Sequence, residues 1–183
     1  MRTIYITDLI GSYCGMHYYD EAFVEILREK GFQVEILSTF NERGKKPFFP
    51  LIFQKNKMKS VLLLLKCYFK FLAHIIIHQK GIYIYMCYGE FYDLLMMSPN
   101  IISKRLFCDV HEVHALKYKD TSYISYFFNW YYTKCISCFI YHSERTKNIL
   151  DTIGMKASML YVPHLKYSCL LYTSPSPRDS TSS

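Results

Sequence analysis

The sequence lacks the features that mark several common classes of protein. Charged residues make up 20% and hydrophobic residues 51% of the 183 residues, which is too apolar a balance for a disordered chain. A formal net charge of +7 is too mild to indicate a nucleic-acid-binding protein. The seven cysteines are odd in number and scattered through apolar stretches, so we expect free thiols in a reducing compartment. A chain of this length can bury roughly two thirds of its unfolded surface, which favours one globular domain.

Targeting signals and a complete metal motif are also missing. The first apolar run, 3–10, is too short for a signal peptide and is interrupted by Asp8. Cys135 and Cys138 form a C-x-x-C pair without a second pair, inside the apolar run 135–141 that is predicted to be a strand. Buried thiols that act as small hydrophobic groups are the default interpretation, with metal or redox chemistry as the alternative. We expect no bound metal.

Apolar, β-rich runs alternate with helical patterns along residues 1–168. Strands are predicted over 3–8, 33–38, 82–86, 105–109, 135–141 and 159–162. Helices are predicted over 19–27, 61–78, 91–97, 123–134 and 143–152, with Gly31 as a C-cap and Ser143 as an N-cap. Such alternation predicts an α/β, Rossmann-like parallel sheet with helices on both faces. The commonest strand order for this class is 3-2-1-4-5-6.

Polar residues follow three of these strands. In the order 3-2-1-4-5-6, ligands bind at the carboxyl ends of the strands, where the order reverses between strands 1 and 4. That rule brings the loop after strand 1 and the residues after strands 4 and 5 around one crevice. The candidate site residues are Gly11, Ser12, Gly15, His111, Glu112, Ser143 and Glu144, with His142 beside them.

The chemistry of these candidates stays open at this stage. Gly11 and Gly15 lack the G-x-G-x-x-G spacing of a dinucleotide fingerprint, so their loop is either a phosphate-holding turn or a plain strand-to-helix turn. Asp109, His111, Glu112 and His114 are metal ligands, an acid/base pair or ordinary polar loop residues. The expected place of His111 in the crevice favours a contact with substrate.

Acidic residues are absent between Arg43 and Gly89, while basic residues are frequent there. The nine are Arg43, Lys45, Lys46, Lys55, Lys57, Lys59, Lys66, Lys70 and Lys80. The helix 61–78 inside this stretch carries lysines near its centre, which disfavour membrane insertion, so we expect an amphipathic or mostly buried helix. Basic residues beside an apolar helix suit an anionic membrane surface, and the alternative is an ordinary solvated face.

The sequence changes character after Ser168. Ser and Pro dominate residues 169–183, and periodicity stops. The run CLLYTSPSPRD resembles, in all eleven residues, a one-frame translation of a transposase-type sequencing adapter. We therefore expect 169–183 to be an artefactual, disordered tail and the chain to be the N-terminal part of a longer protein.

Three segments together resemble the N-terminal domain of family 4 glycosyltransferases, which have the two-domain GT-B fold. They are RTIYITDLIGSYCGMHYYDEAFVEILREKGFQVEILST, LFCDVHEVHAL and CFIYHSERTKNILDTIGMKASMLYVPHL. The resemblance implies that the loop containing Gly11, Ser12 and Gly15 lies near the donor diphosphate and that His111 contacts the donor sugar. It also implies that Ser143 is the serine after strand 5. This chain departs from the family in having no adjacent Gly-Gly pair in the loop.

The resemblance implies a retaining transfer of sugar from a nucleotide-sugar donor to a saccharide or lipid-linked acceptor, without a cofactor and generally without a metal. Residues 1–168 would be the acceptor-side half, inactive by itself because the donor-binding half is separate. We expect a cytoplasmic protein, peripheral at the inner face of the cell membrane, with no nucleic-acid partner. The alternatives are a non-catalytic membrane-surface or acceptor-binding module and a nucleotide-binding enzyme with another chemistry.

Overall fold

The computed structural model contains one open sheet of six parallel strands. It describes residues 2–10, 13, 16–40, 45–88, 91–103, 105–111, 130–131, 134–152 and 158–162. The strands are β1 (Thr3–Asp8), β2 (Gln33–Ser38), β3 (Ile82–Cys87), β4 (Leu106–Val110), β5 (Cys138–Tyr141) and β6 (Ser158–Tyr161). The predicted α/β, Rossmann-like class is therefore confirmed. The expected division at Ser168, with its tail 169–183, lies outside the described residues.

The predicted strand order is wrong. The sheet runs β2-β1-β3-β4-β5-β6, so β3 pairs with β1 and separates it from β4. The exposure of Gln33 and Glu35 on β2 explains the difference, because polar residues on alternate positions suit a strand at the edge. In contrast, all but the first residue of β3 is buried, as an interior strand requires. The order reverses between β1 and β3, and this is where the fold class predicts a site.

Five helices have both ends within the described part of the chain. They are α1 (His17–Glu29), α2 (Lys57–Ile77), α3 (Phe91–Met97), α4 (Asn100–Ser103) and α5 (Glu144–Thr152). The helix predicted over 61–78 begins earlier because the Asn56 side chain accepts hydrogen bonds from the N–H groups of Met58 and Lys59. Most of the predicted helix 123–134 lies outside the described residues.

Both predicted caps are confirmed. Gly31 has a φ of 83°, its N–H donates to the Arg28 carbonyl, and the N–H of Phe32 donates to the Leu27 carbonyl. These two bonds form a Schellman motif, which ends α1 at a position that favours glycine. The Ser143 hydroxyl accepts a hydrogen bond from the Thr146 N–H at 3.2 Å and so begins α5.

The helices α1 and α2 cover opposite faces of the sheet. The crossover through α1 moves outward from β1 to β2, and the crossover through α2 returns past β1 to β3. Right-handed crossovers in opposite directions place their helices on opposite faces. On the α2 face, Tyr5 stacks on Tyr83 at 5.1 Å, and the His74 ring of α2 lies 4.6 Å from Tyr5.

The described cysteines are free thiols, and most are in the core. Cys67, Cys87, Cys108 and Cys135 are buried, and Cys138 is half-buried. Burial raises the pKa of Cys67 and of Cys135 to about 11, which keeps both protonated at neutral pH. The expectation of buried thiols is confirmed for these residues. The predicted strand 135–141 is too long, since β5 begins at Cys138.

Candidate functional site

The carboxyl edge of the sheet carries buried polar groups from several strands. Asp8 ends β1, Asp109 lies near the end of β4, and both side chains are fully buried. His142 directly follows β5. Because parallel strands end at the same edge, these groups lie together. A buried carboxylate is costly without partners, so its contacts indicate how the site is built.

Asp109 and His142 form the centre of the site. The Nε2 of His142 lies 2.5 Å from an Asp109 carboxylate oxygen, and its Nδ1 lies 2.7 Å from the Val162 carbonyl oxygen. Both partners are acceptors, so the two hydrogen bonds form together only when both ring nitrogens carry a proton, which favours the imidazolium form. Burial lowers the pKa of His142, but the hydrogen bond and charge of Asp109 and the Val162 carbonyl outweigh it and raise the pKa overall.

Tyr19 connects α1 to this pair. Its hydroxyl donates to the second Asp109 oxygen at 3.2 Å and lies 3.3 Å from the Nε2 of His142. The ring is 1% exposed, so the contact is sealed from water. Sequence reasoning treated Tyr19 as an apolar helical position and missed this role. The available signal was its hydroxyl, since a buried tyrosine needs a hydrogen-bond partner.

His111 lies at the carboxyl edge directly after β4, the position that was predicted for it. Its ring is parallel to that of Tyr88 at 5.6 Å, lies edge-on to Tyr19 at 4.7 Å and is 5.4 Å from that of His142. A side chain in a loop after a strand is ordinarily exposed, but that of His111 is only 6% exposed. The backbone N–H of His111 also donates a hydrogen bond to the Cys87 carbonyl, which extends the pairing of β3 and β4 by one residue.

Tyr88 bridges the ends of β1 and β4. Its hydroxyl donates to Asp8 at 2.9 Å while its ring faces His111. Asp8 also accepts the Ile10 N–H at 2.8 Å, which holds the start of the loop after β1. The predicted adjacency of strands β1 and β4 is wrong, because β3 and Tyr88 lie between them. The predicted meeting of the loop after β1 with His111 stays a prediction, because Gly11, Ser12 and Gly15 lie outside the described residues.

Asp93 of α3 holds the segment that leads to Tyr88. Its carboxylate accepts hydrogen bonds from the Tyr85 hydroxyl at 2.8 Å and the Tyr88 N–H at 3.1 Å. Burial raises the pKa of Tyr85, and the negative charge of Asp93 raises it further, so the phenol stays a donor. Asp93 therefore positions Tyr88 beside His111.

The remaining predicted residues divide into two groups. Ser143 and Glu144 are exposed at the start of α5, next to His142 in the chain. Their contact with a ligand stays a prediction. Gly11, Ser12, Gly15, Glu112 and His114 lie outside the described residues.

A metal ion has potential ligands here by spacing. Ligand atoms of Asp109, His111 and His142 all lie within 4.8 Å of one another. However, both nitrogens of His142 face acceptors, so the ring offers no lone pair until Nε2 loses its proton. The geometry fits a shared proton better than a metal, and the expectation of no metal stays a prediction.

Comparison with known proteins gives no family assignment. A scan against protein-family models and a search of curated proteins find no match to this chain. The functional argument therefore rests on the parallel sheet and on the side chains at its carboxyl edge.

Proposed function

We propose that this chain is the acceptor-side domain of a retaining glycosyltransferase that takes its sugar from a nucleotide-sugar donor. The observation that carries the proposal is the position of His111, at the carboxyl end of β4, one strand away from the switch point between β1 and β3. The sequence resemblance gives a histidine at this position a contact with the donor sugar. The donor-binding domain would lie outside residues 1–168.

The residues around His111 support the proposal that its ring is held in place to contact a sugar. The rings of Tyr19, Tyr88 and His142 fix its orientation before any ligand binds. A fixed imidazole loses little conformational freedom when it hydrogen-bonds a sugar hydroxyl. The Asp109–His142 pair is tied to the same cluster, so the histidine rests on a rigid support.

The test uses the full-length gene product and a substitution that separates chemistry from packing. His111→Phe keeps an aromatic ring among the three neighbours but removes both ring nitrogens. We expect kcat/KM for sugar transfer to fall about 10-fold or more, equivalent to about 1.4 kcal/mol of transition-state stabilisation, with little change in Tm. His78→Ala is the control, because His78 precedes β3 at the opposite edge of the sheet. An active His111→Phe enzyme contradicts the proposal.

The second candidate function is a non-catalytic module of a membrane surface. One observation favours it, the exposure of apolar side chains along α2. Reading the gene past Ser168 separates the candidates. A second domain of alternating strands and helices with paired glutamates supports the transferase, and a stop codon supports the module.

A further inference from the structure

The outer face of α2 is apolar. Its exposed side chains include Met58 at 69%, Leu62 at 62% and Phe69 at 62%, and Leu65 and Ile76 continue the row. Their spacing of four, three, four and seven residues places them along one side of the helix. These five residues form the outer stripe. Sequence analysis left an amphipathic or a mostly buried helix open, and the second alternative is wrong, because only the opposite side of α2 enters the core.

The opposite side of α2 holds the helix in place. Cys67, Phe71 and Ile75 are fully buried, and the Phe71 ring lies 5.8 Å from that of Tyr83 on β3. By length and composition α2 resembles a membrane-spanning segment. It cannot cross a bilayer in this fold without leaving the core, so any contact with a membrane is made by a helix lying flat on its surface.

Positive charge lies beside the outer stripe. Eight exposed lysines lie between residues 45 and 88, and that stretch contains no Asp or Glu. Lys59 and Lys66 lie along one border of the stripe by helical spacing, and Lys70 follows them. The Lys70 ammonium is held by the Phe48 carbonyl and lies 4.0 Å from the centre of its ring.

We propose that the outer stripe docks on an anionic lipid bilayer, with its apolar side chains in the interface and its lysines against the headgroups. Charge complementarity selects this occupant. A second copy of the chain would place lysine against lysine, without an acidic residue in 45–88 to neutralise them. The inference holds for either function proposed above.

The experiment measures sedimentation of the 183-residue chain with two kinds of vesicle. One kind is pure phosphatidylcholine and the other contains about one third phosphatidylglycerol, which gives the negative surface that lysines recognise. We expect binding to the anionic vesicles, weakened by added salt. Leu62→Glu should abolish binding. Ile26→Glu, which changes an exposed apolar residue of α1 on the other face of the sheet, should leave binding unchanged.

A second pair of variants tests the charge. Lys59→Gln and Lys66→Gln should each lower the partition coefficient about fivefold, with no change in fold by circular dichroism. Three results would overturn the proposal: equal binding to both vesicle types, undiminished binding of a folded Leu62→Glu chain, and absence of binding. A chain that instead forms dimers dissociated by Leu62→Glu would identify a second copy as the occupant. His111→Phe should bind vesicles normally, which separates this test from that of the transferase.

Discussion

At the residue scale, the structure is organised around a buried charge pair. One carboxylate oxygen of Asp109 accepts a hydrogen bond from the His142 ring, and the other accepts one from the Tyr19 hydroxyl. The partners are distant in sequence, since Tyr19 and Asp109 are 90 positions apart. Such an arrangement ties α1, β4 and the end of β5 together. Removing one partner leaves a buried group unsatisfied, which usually costs more than the net contribution of the contact.

The pair predicts a loss of stability as pH rises. The pKa of His142 is raised in the folded state, so its contribution is present below its unfolded value, about 6.5, and is lost as pH rises through the folded pKa. Urea unfolding between about pH 6.5 and 9 measures this. Asp109→Asn should flatten the decline, because the carboxylate that raises the pKa is gone. An unchanged slope in the variant would contradict the assignment.

The other histidines affect this measurement differently. Burial, the charge of His78 and the charge of Lys70 together lower the pKa of His74 to about 4. A lowered histidine pKa makes stability fall only as pH decreases below about 6.5, so His74 acts outside the window chosen for His142. The side chains of His111 and Tyr19 contact His142 directly. Repeating the urea unfolding with His111→Phe shows how much of the decline in stability depends on His111.

At the element scale, side-chain hydrogen bonds mark the first residues of α2 and α5. Asn56 and Ser143 both cap helices with their side-chain oxygens. Serine at 143 was predicted from its type and place before a helical pattern, whereas Asn56 was missed because apolar periodicity starts later than the helix does. A cap is therefore readable from sequence when the helical pattern is bounded at the correct residue, as it is at Ser143.

Ser143 allows its two assigned roles to be separated. Ser143→Ala should lower the free energy of unfolding by about 1 kcal/mol through loss of the cap, measured by urea denaturation. Ser143→Asp keeps a capping oxygen and should restore stability. If the hydroxyl also contacts substrate in the full-length enzyme, transfer activity stays low in Ser143→Asp. A stable and fully active Asp variant would limit Ser143 to capping.

At the scale of the whole molecule, the sequence was sufficient for the strands and insufficient for their order. Apolar β-rich runs separated by helical patterns located the six described strands. Burial on both faces favours apolar runs in β1, β3 and β4, whereas the edge strands β2 and β6 are partly exposed. Which strand pairs with which depends on crossovers between distant segments. The polar residues Gln33 and Glu35 of β2 were the local sign of an edge strand. They were a better guide to the position of β2 than the commonest strand order of the class, 3-2-1-4-5-6.

The site, like the fold, was predictable only in part: the sequence located one residue of it but not the contacts between its residues. The position of His111 followed from the rule that loops at the carboxyl edge bind ligands. The Asp109–His142 pair and the Tyr19 contact could not be foreseen, since they depend on the packing of α1 against the ends of β4 and β5. The exposed apolar side of α2 was also missed, because composition alone cannot say which side of an apolar helix meets the core.

The distribution of thiols has a kinetic consequence. Cys67, Cys87, Cys108 and Cys135 are at most 1% exposed and belong to α2, β3, β4 and the approach to β5. A thiol dye can reach them only while the core is open, so the labelling rate of each thiol gives the opening frequency of its own element.

In a variant in which Cys14 and Cys169 are replaced by serine, the half-buried Cys138 should react with the dye first. Equal, slow rates at the other four, followed by mass spectrometry, would mean that the sheet and α2 open as one cooperative unit. A faster rate at Cys67 alone would mean that α2 detaches from a sheet that stays closed.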